Sequence, residues 1–267
     1  MNRTIAIMGC GWLGLPLAKA LIKNGYSIHG STTSEKKLVP LKNEGIHPFL
    51  ISLSEDGIEG DIKGFLSNVE ALIINVPPKL RAKHTESYVK KMQLLHRAIK
   101  ASTVQKVIFT SSTSVYGKVD GAVTEKTKPH PVTESGRQLV AAEEIFRNDS
   151  ALQASIIRFG GLIGPKRHPV TMLSGRKNLS NAYAPVNLIH RNDCIRIITE
   201  IVEKNWWGET FNGVNPDHPT KQDYYTSKAL EKGLQPPDYP ANSPKKGKIV
   251  HSYTLINVKK FRFTTSL

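Results

Sequence analysis

The segment Gly9-Cys10-Gly11-Trp12-Leu13-Gly14 constrains this chain more than any other. Three glycines in the pattern G-x-G-x-x-G are uninformative alone. Here they directly follow the apolar run Thr4-Ile5-Ala6-Ile7-Met8 and lead into Leu13, Leu17 and Leu21, spaced as one face of a helix that Gly25 ends. Strand, tight turn and helix in that order form the context in which such glycines bind a dinucleotide. Gly9 permits the turn, Gly11 lets a pyrophosphate approach the backbone, and Gly14 lets helix and strand pack closely. Trp12 and Leu13 stand at the helix N-terminus, whose N–H donors and positive dipole end favour phosphate. Pro16 falls in the first helical turn, where a missing N–H is tolerated.

The βα rhythm continues through the first 160 residues or so. Strands are expected at 26–30, at 48–53 and at 71–76, the last stopped by Pro77-Pro78, and again at 106–110 and 155–159. Helices are expected at 85–100, with Tyr88, Met92, Leu95 and Ile99 on one side, and near 133–147. Continuous apolar runs suit parallel strands covered on both faces. The alternation predicts an α/β fold of Rossmann type, a doubly wound parallel sheet. Val76 and Pro77, ending the strand at 71–76, are placed against the cofactor. After Gly164 the rhythm weakens and Gly, Pro and Asn become frequent. The expected division is a dinucleotide-binding domain over 1–164 and a smaller C-terminal lobe over 165–267, interleaved with the sheet, binding the substrate. Within that lobe a helix is expected at 221–231.

Composition narrows the partners. With 39% apolar and 22% charged residues the 267-residue chain is globular rather than disordered, and its 37 Lys and Arg against 22 Asp and Glu give a net charge of +15. Nucleic acid would require a clustered basic face interleaved with aromatics. The basic residues instead fall in scattered pairs such as Lys36-Lys37, Lys90-Lys91 and Lys259-Lys260. The charge therefore points to an anionic small molecule, not to nucleic acid or a membrane. Lys166, Arg167, Arg176 and Lys177 are candidates for binding an anionic substrate group. Two cysteines, Cys10 and Cys194, build no disulfide framework and lack metal-ligand spacing, so no metal is expected. The apolar run before Cys10 is too short for a signal peptide core, and no segment has the length of a membrane span. A cytoplasmic protein is the expectation.

The end of the second strand bears on which dinucleotide is held. An acidic residue there would bind the ribose 2′-OH of NAD. This chain has Ser31-Thr32-Thr33-Ser34, with no carboxylate until Glu35, and then Lys36-Lys37. Hydroxyls and a cation suit a 2′-phosphate through charge-assisted hydrogen bonds. Thr32, Thr33, Ser34 and Lys37 are thus assigned to NADP, with NAD as the alternative.

Four further segments carry a resemblance. Ser111-Ser112-Thr113-Ser114-Val115-Tyr116-Gly117 resembles the S-S-x-x-V-Y-G signature of the extended short-chain dehydrogenases/reductases, the NAD(P)-dependent epimerase/dehydratase family. Arg158-Phe159-Gly160-Gly161-Leu162-Ile163-Gly164-Pro165, Asn187-Leu188-Ile189-His190-Arg191-Asn192-Asp193 and Gly208-Glu209-Thr210-Phe211-Asn212-Gly213 are similar to three later segments of that family, in the family's order. The resemblance implies that Ser112 orients the reacting hydroxyl or carbonyl. It also implies a Tyr-x-x-x-Lys pair for proton transfer, because a tyrosine of ordinary pKa near 10 acts near neutrality only beside a cation. In the matching stretch Ser135 stands at the tyrosine position and Leu139 at the lysine position. Ser135-x-x-Gln138 reads as a capping box instead. The remaining candidates for chemistry are Ser112, Tyr116 and Arg137, the last as a fixed cation for a carboxylate or phosphate. His190 is expected to be buried ahead of a helix capped by Asp193, and His130 to lie on the surface. Two functions follow: an NADP-linked oxidoreductase or epimerase on a small polar or nucleotide-linked substrate, or a dinucleotide-holding sensor without turnover. Relatives pair through the helices matching 85–100 and 133–147, so a homodimer is compatible with either.

Overall fold

The computed structural model describes residues 3–78, 86–243 and 246–267. Seven parallel strands form the central sheet: β1 (Thr4–Met8), β2 (Ser27–Thr32), β3 (His47–Leu50), β4 (Ala71–Ile74), β5 (Lys106–Ser112), β6 (Gln153–Phe159) and β7 (Thr210–Gly213). Their spatial order is β7-β6-β5-β4-β1-β2-β3, so the order reverses beside β1, where an open α/β sheet binds ligands. Side chains alternate across it as the two-residue strand period requires. Ile5, Ile7, Ile73 and Ile108 enter one core with α1 (Gly14–Lys23) and α4 (Arg191–Glu203). Ala6, Met8, Ile74 and Phe109 enter the other with α2 (Tyr88–Lys100) and α3 (Glu134–Arg147).

The expected elements are present, with shifted ends. The segment expected as one strand at 48–53 is divided: β3 stops at Leu50, and Ser52–Leu53 pairs antiparallel with Ile58–Glu59. The helix expected from 85 begins at Tyr88, capped by Ser87, and Thr85 lies outside the described residues. On α3 the cap is Thr133, whose hydroxyl accepts from the Gly136 N–H, and not Ser135. Gln138 donates instead to Glu134 within α3 and accepts from the Tyr88 N–H, tying α3 to α2. The helix expected at 221–231 is α5 (Lys221–Glu231).

The C-terminal third is shared between two layers. From it α4 and β7 return to the main sheet, burying Cys194, Ile197, Ile198, Ile201 and Phe211. Ile163, Val170, Val186, Leu188, Tyr224, Tyr225 and Ala229 form a separate small core around α5. The buried Asp193 carboxylate sits inside the first turn of α4 rather than capping it, and gathers Arg196, Thr264 and Thr265. His190 is the cap: its Nδ1 accepts from the Asn192 N–H at 3.2 Å.

Candidate dinucleotide and active site

At the β1–α1 junction the glycines have distinct physical roles. Gly9 has φ +102°, and a Cβ on it would lie 2.7 Å from the Asn75 carbonyl oxygen. A Cβ on Gly14 would lie 2.1 Å from the Gly9 carbonyl oxygen, so helix and turn touch through hydrogen atoms alone. Gly11 differs, because, apart from its own chain neighbours, no atom of the described residues lies within 4 Å of where its Cβ would be. Its absent side chain leaves room outside the fold, as close approach of a phosphate to backbone requires. Among the described residues the Trp12 and Leu13 N–H groups have no acceptor, whereas the Gly9 N–H donates to Ser31 Oγ (2.9 Å). Asn75, at the end of β4, donates to the Gly9 carbonyl at 3.1 Å. These residues fit the pyrophosphate of a dinucleotide.

Ser31 and Asn75 escaped the sequence reading although both support the turn. A short polar residue ending a strand beside the fingerprint was the available signal. Val76 lies beside Gly9, its carbonyl accepting from the Tyr88 hydroxyl, and Pro77 is exposed at the same edge. At the end of β2, Thr32 is buried and its hydroxyl oxygen accepts from the Ser34 N–H at 3.2 Å. Thr33 and Lys37 are exposed and Ser34 partly so. Thr32 is therefore a turn residue, whereas Thr33, Ser34 and Lys37 stand at least partly open at the strand end. Burial pushes the Cys10 thiol up to about 12, leaving it a small apolar filler behind the turn.

Pro16 has a consequence that the sequence concealed. In this helix the Leu15 N–H bonds the Gly11 carbonyl, so residue 16 would bond the Trp12 carbonyl. Proline cannot. Arg191 Nη1 approaches that carbonyl instead, at 3.4 Å, from the start of α4.

At the other end of the site, β5 delivers Ser112 at its last position. Its Oγ accepts from the Ser114 N–H at 3.2 Å, which leaves the hydroxyl proton free to donate to a ligand oxygen. Lys248 steadies the following turn through Nζ bonds to the Thr113 and Gly117 carbonyls, 2.9 and 2.8 Å. No sequence signal pointed to Lys248, which is 131 residues from Gly117.

The cleft-facing role expected for Tyr116 does not fit this geometry. Its ring is fully buried, and its hydroxyl donates to Asn212 Oδ1 (2.8 Å) while accepting from Arg158 Nη1 (3.0 Å). Burial raises its pKa, so it stays a neutral phenol. Arg158 in turn bonds Glu143 Oε2 at 2.6 Å, and Ser111 donates to Glu143 Oε1 at 2.6 Å. Burial works against the Arg158 charge, but Glu143 more than offsets it and the pKa is raised. Three residues of the motif segments, Tyr116, Arg158 and Asn212, thus meet in one buried network behind the site. Arg137 is also not held toward a ligand: it is exposed and paired with Glu134 one turn away. The chain does hold one tyrosine four residues before a lysine, Tyr224 and Lys228 on α5. The Tyr224 hydroxyl bonds His168 Nε2 at 2.9 Å within the small core of the lobe, apart from the strand that carries Ser112.

The basic group at 166–177 divides. Arg167 lies over the Trp12 ring, whereas Arg176 and Lys177 adjoin the segment around Gln235 and Asp238.

The NAD(P)H-binding family matches residues 9–205. Protein YeeZ of Escherichia coli (strain K12) is 34% identical over 263 residues, covering 98% of this chain and 96% of its own. A protein of Bacillus subtilis (strain 168) named uncharacterized UDP-glucose epimerase YtcB is 24% identical over 231 residues, 76% of this chain and 73% of its own. Among solved structures, UDP-glucuronic acid 4-epimerase of Bacillus cereus in complex with NAD superposes with a TM-score of 0.81 at 19% identity, covering 99% of this chain and 93% of its own. The fold, the open glycine turn and the matched span converge on one assignment: the chain belongs to the NAD(P)H-binding family.

Proposed function

We propose that this protein is an NADP-dependent enzyme of the epimerase or oxidoreductase type that acts on a small polar, anionic or sugar-nucleotide substrate. The observation that carries the reading is the glycine turn, with space over Gly11 and uncommitted N–H donors on Trp12 and Leu13. Thr33, Ser34 and Lys37 support the choice of NADP over NAD, since they offer hydroxyls and a cation where NAD-binding proteins offer a carboxylate. The named UDP-sugar enzymes among the relatives and structural neighbours support the substrate class.

When bound, the nicotinamide supplies hydride chemistry. Ser112 would donate its hydroxyl proton to the substrate oxygen and fix the substrate's orientation. The Lys248 bonds hold the turn beside it. With Ser135 and Leu139 in place of a tyrosine and lysine, proton transfer would fall to Ser112, bound water or the substrate itself. A dinucleotide-holding sensor is the second reading, favoured by the closed position of Tyr116. The lack of a membrane-spanning helix among the described residues is compatible with a cytoplasmic setting, and the packing of α2 on α3 with a homodimer.

Titration with NADPH and NADH, followed by assays with carbonyl and UDP-sugar substrates, tests both readings. NADPH is expected to bind roughly tenfold more tightly than NADH, one charge-assisted contact being worth about that factor. Thr33→Asp is expected to reverse the preference. Binding of neither nucleotide would end both readings, and tight binding without turnover on any substrate would leave the sensor.

A further inference from the structure

We infer that Arg167 is a ligand of the dinucleotide's pyrophosphate, delivered to the glycine turn by the lobe. This rests on the dinucleotide reading above and adds a side chain to a cradle otherwise made of backbone. The placement is built from the turn at 164–167. The Gly164 N–H donates to the Arg167 carbonyl (2.9 Å) and the Arg167 N–H to the Gly164 carbonyl (3.0 Å), closing the turn on itself. That turn is pressed against Trp12. The indole Nε1 donates to the Pro165 carbonyl at 3.0 Å, and a Cβ on Gly164 would lie only 3.2 Å from Trp12 Cζ2. Arg167 then stacks on the same ring, its guanidinium carbon 5.0 Å from the ring centroid.

The charge around this indole is unbalanced. Arg191 also lies against it, at 5.1 Å. Arg191 commits Nη1 to the Trp12 carbonyl, and its buried Nε has no partner. Among the described residues neither arginine pairs with a carboxylate, and the Arg167 side chain makes no hydrogen bond at all. Two like charges on one ring repel, and a nearby anion offsets that repulsion. The backbone N–H of that same Trp12 is one of the donors aimed at the pyrophosphate, so the nearest anion that the fold is built to hold is this one. Arg191 is then the strut that supports Trp12, and Arg167, with its planar fork of uncommitted donors, is the phosphate ligand.

The test measures the affinity of the full chain for NADH, NADPH and UDP-glucose by calorimetry, for the wild type, Arg167→Met and Arg167→Lys. Methionine keeps an apolar contact on the ring, and the residue is exposed, so an unchanged melting temperature is expected. Loss of NADH and NADPH affinity by the same factor, roughly tenfold or more in Arg167→Met and less in Arg167→Lys, is the expected result. Loss confined to NADPH would assign Arg167 to the 2′-phosphate and overturn the inference. Loss confined to UDP-glucose would assign it to the substrate and overturn it equally. Wild-type binding with an unchanged Arg167→Met variant removes this inference alone, whereas absence of dinucleotide binding by the wild type removes the functional reading beneath it as well.

Discussion

The two ends of the sheet's ligand edge are built in opposite ways. At β1–α1 the site is made of backbone: glycines, uncommitted N–H groups and a helix terminus, with Ser31 and Asn75 as props. At β5 it is made of side chains, and those in the motifs are mostly turned inward, Tyr116 to Asn212 and Arg158, and Arg158 to Glu143. The difference teaches which parts of a family signature are chemistry and which are scaffold. A backbone cradle recognises phosphate through N–H groups and a helix dipole that any side-chain set can supply. At the side-chain end the motif residues mainly hold β5, β6, β7 and α3 together.

If that contrast is right, damage at the two ends has different signatures. The largest effect is expected from Arg158→Met, which leaves the buried Glu143 carboxylate with only the half-exposed Arg147 as its ion-pair partner. Breaking a buried pair costs about 3–5 kcal/mol, so urea unfolding should shift markedly, and a variant as stable as the wild type would break the scaffold assignment. Gly11→Ala is the converse. Apart from its chain neighbours no atom of the described residues would touch the added methyl, so the unfolding midpoint should hardly move, while NADPH affinity falls at least roughly tenfold because the methyl occupies the space that the phosphate needs. Equal binding by this variant would mean that the turn is only a structural corner.

The smallest expected effect concerns pH. His168, His190 and His218 all have lowered pKa values, burial being the largest cause in each. The folded state thus favours neutral imidazole. Above the unfolded value of about 6.5 both states are neutral, and below it the unfolded chain takes up more protons, so stability is lost as pH falls through that value. Melting temperatures at pH 7.5 and 5.5 should show the drop. His190→Asn, which keeps a residue able to cap α4, should lessen it. A drop of the same size in that variant would shift the effect to the other histidines.

Much of this was legible before the structure. The apolar strands, the helix at 221–231 and the turn at Gly9 could be read because their causes are local: period, flanking glycines and the needs of a tight turn. The cap of α3 was misread because Ser135 and Thr133 both suit a cap, and only the helix start decides between them. Tyr116 was misread for a different reason. A motif tyrosine beside Ser112 has the right chemistry for proton transfer, and nothing local reveals that Asn212, 96 residues away, closes over its hydroxyl. Lys248, Arg191 and the stacking of Arg167 on Trp12 were illegible for the same cause.

By itself, then, the sequence determined a parallel α/β sheet that opens on a dinucleotide turn, because hydrophobic period and glycine geometry are properties of neighbours along the chain. The tertiary structure decided which polar side chains remain for ligands. A hydroxyl or guanidinium is available only if no distant group has already satisfied it, and that depends on contacts made when the chain folds back on itself, as at Tyr116, Arg158 and Asn212, or, among the described residues, leaves a stacked guanidinium with no hydrogen bond, as at Arg167.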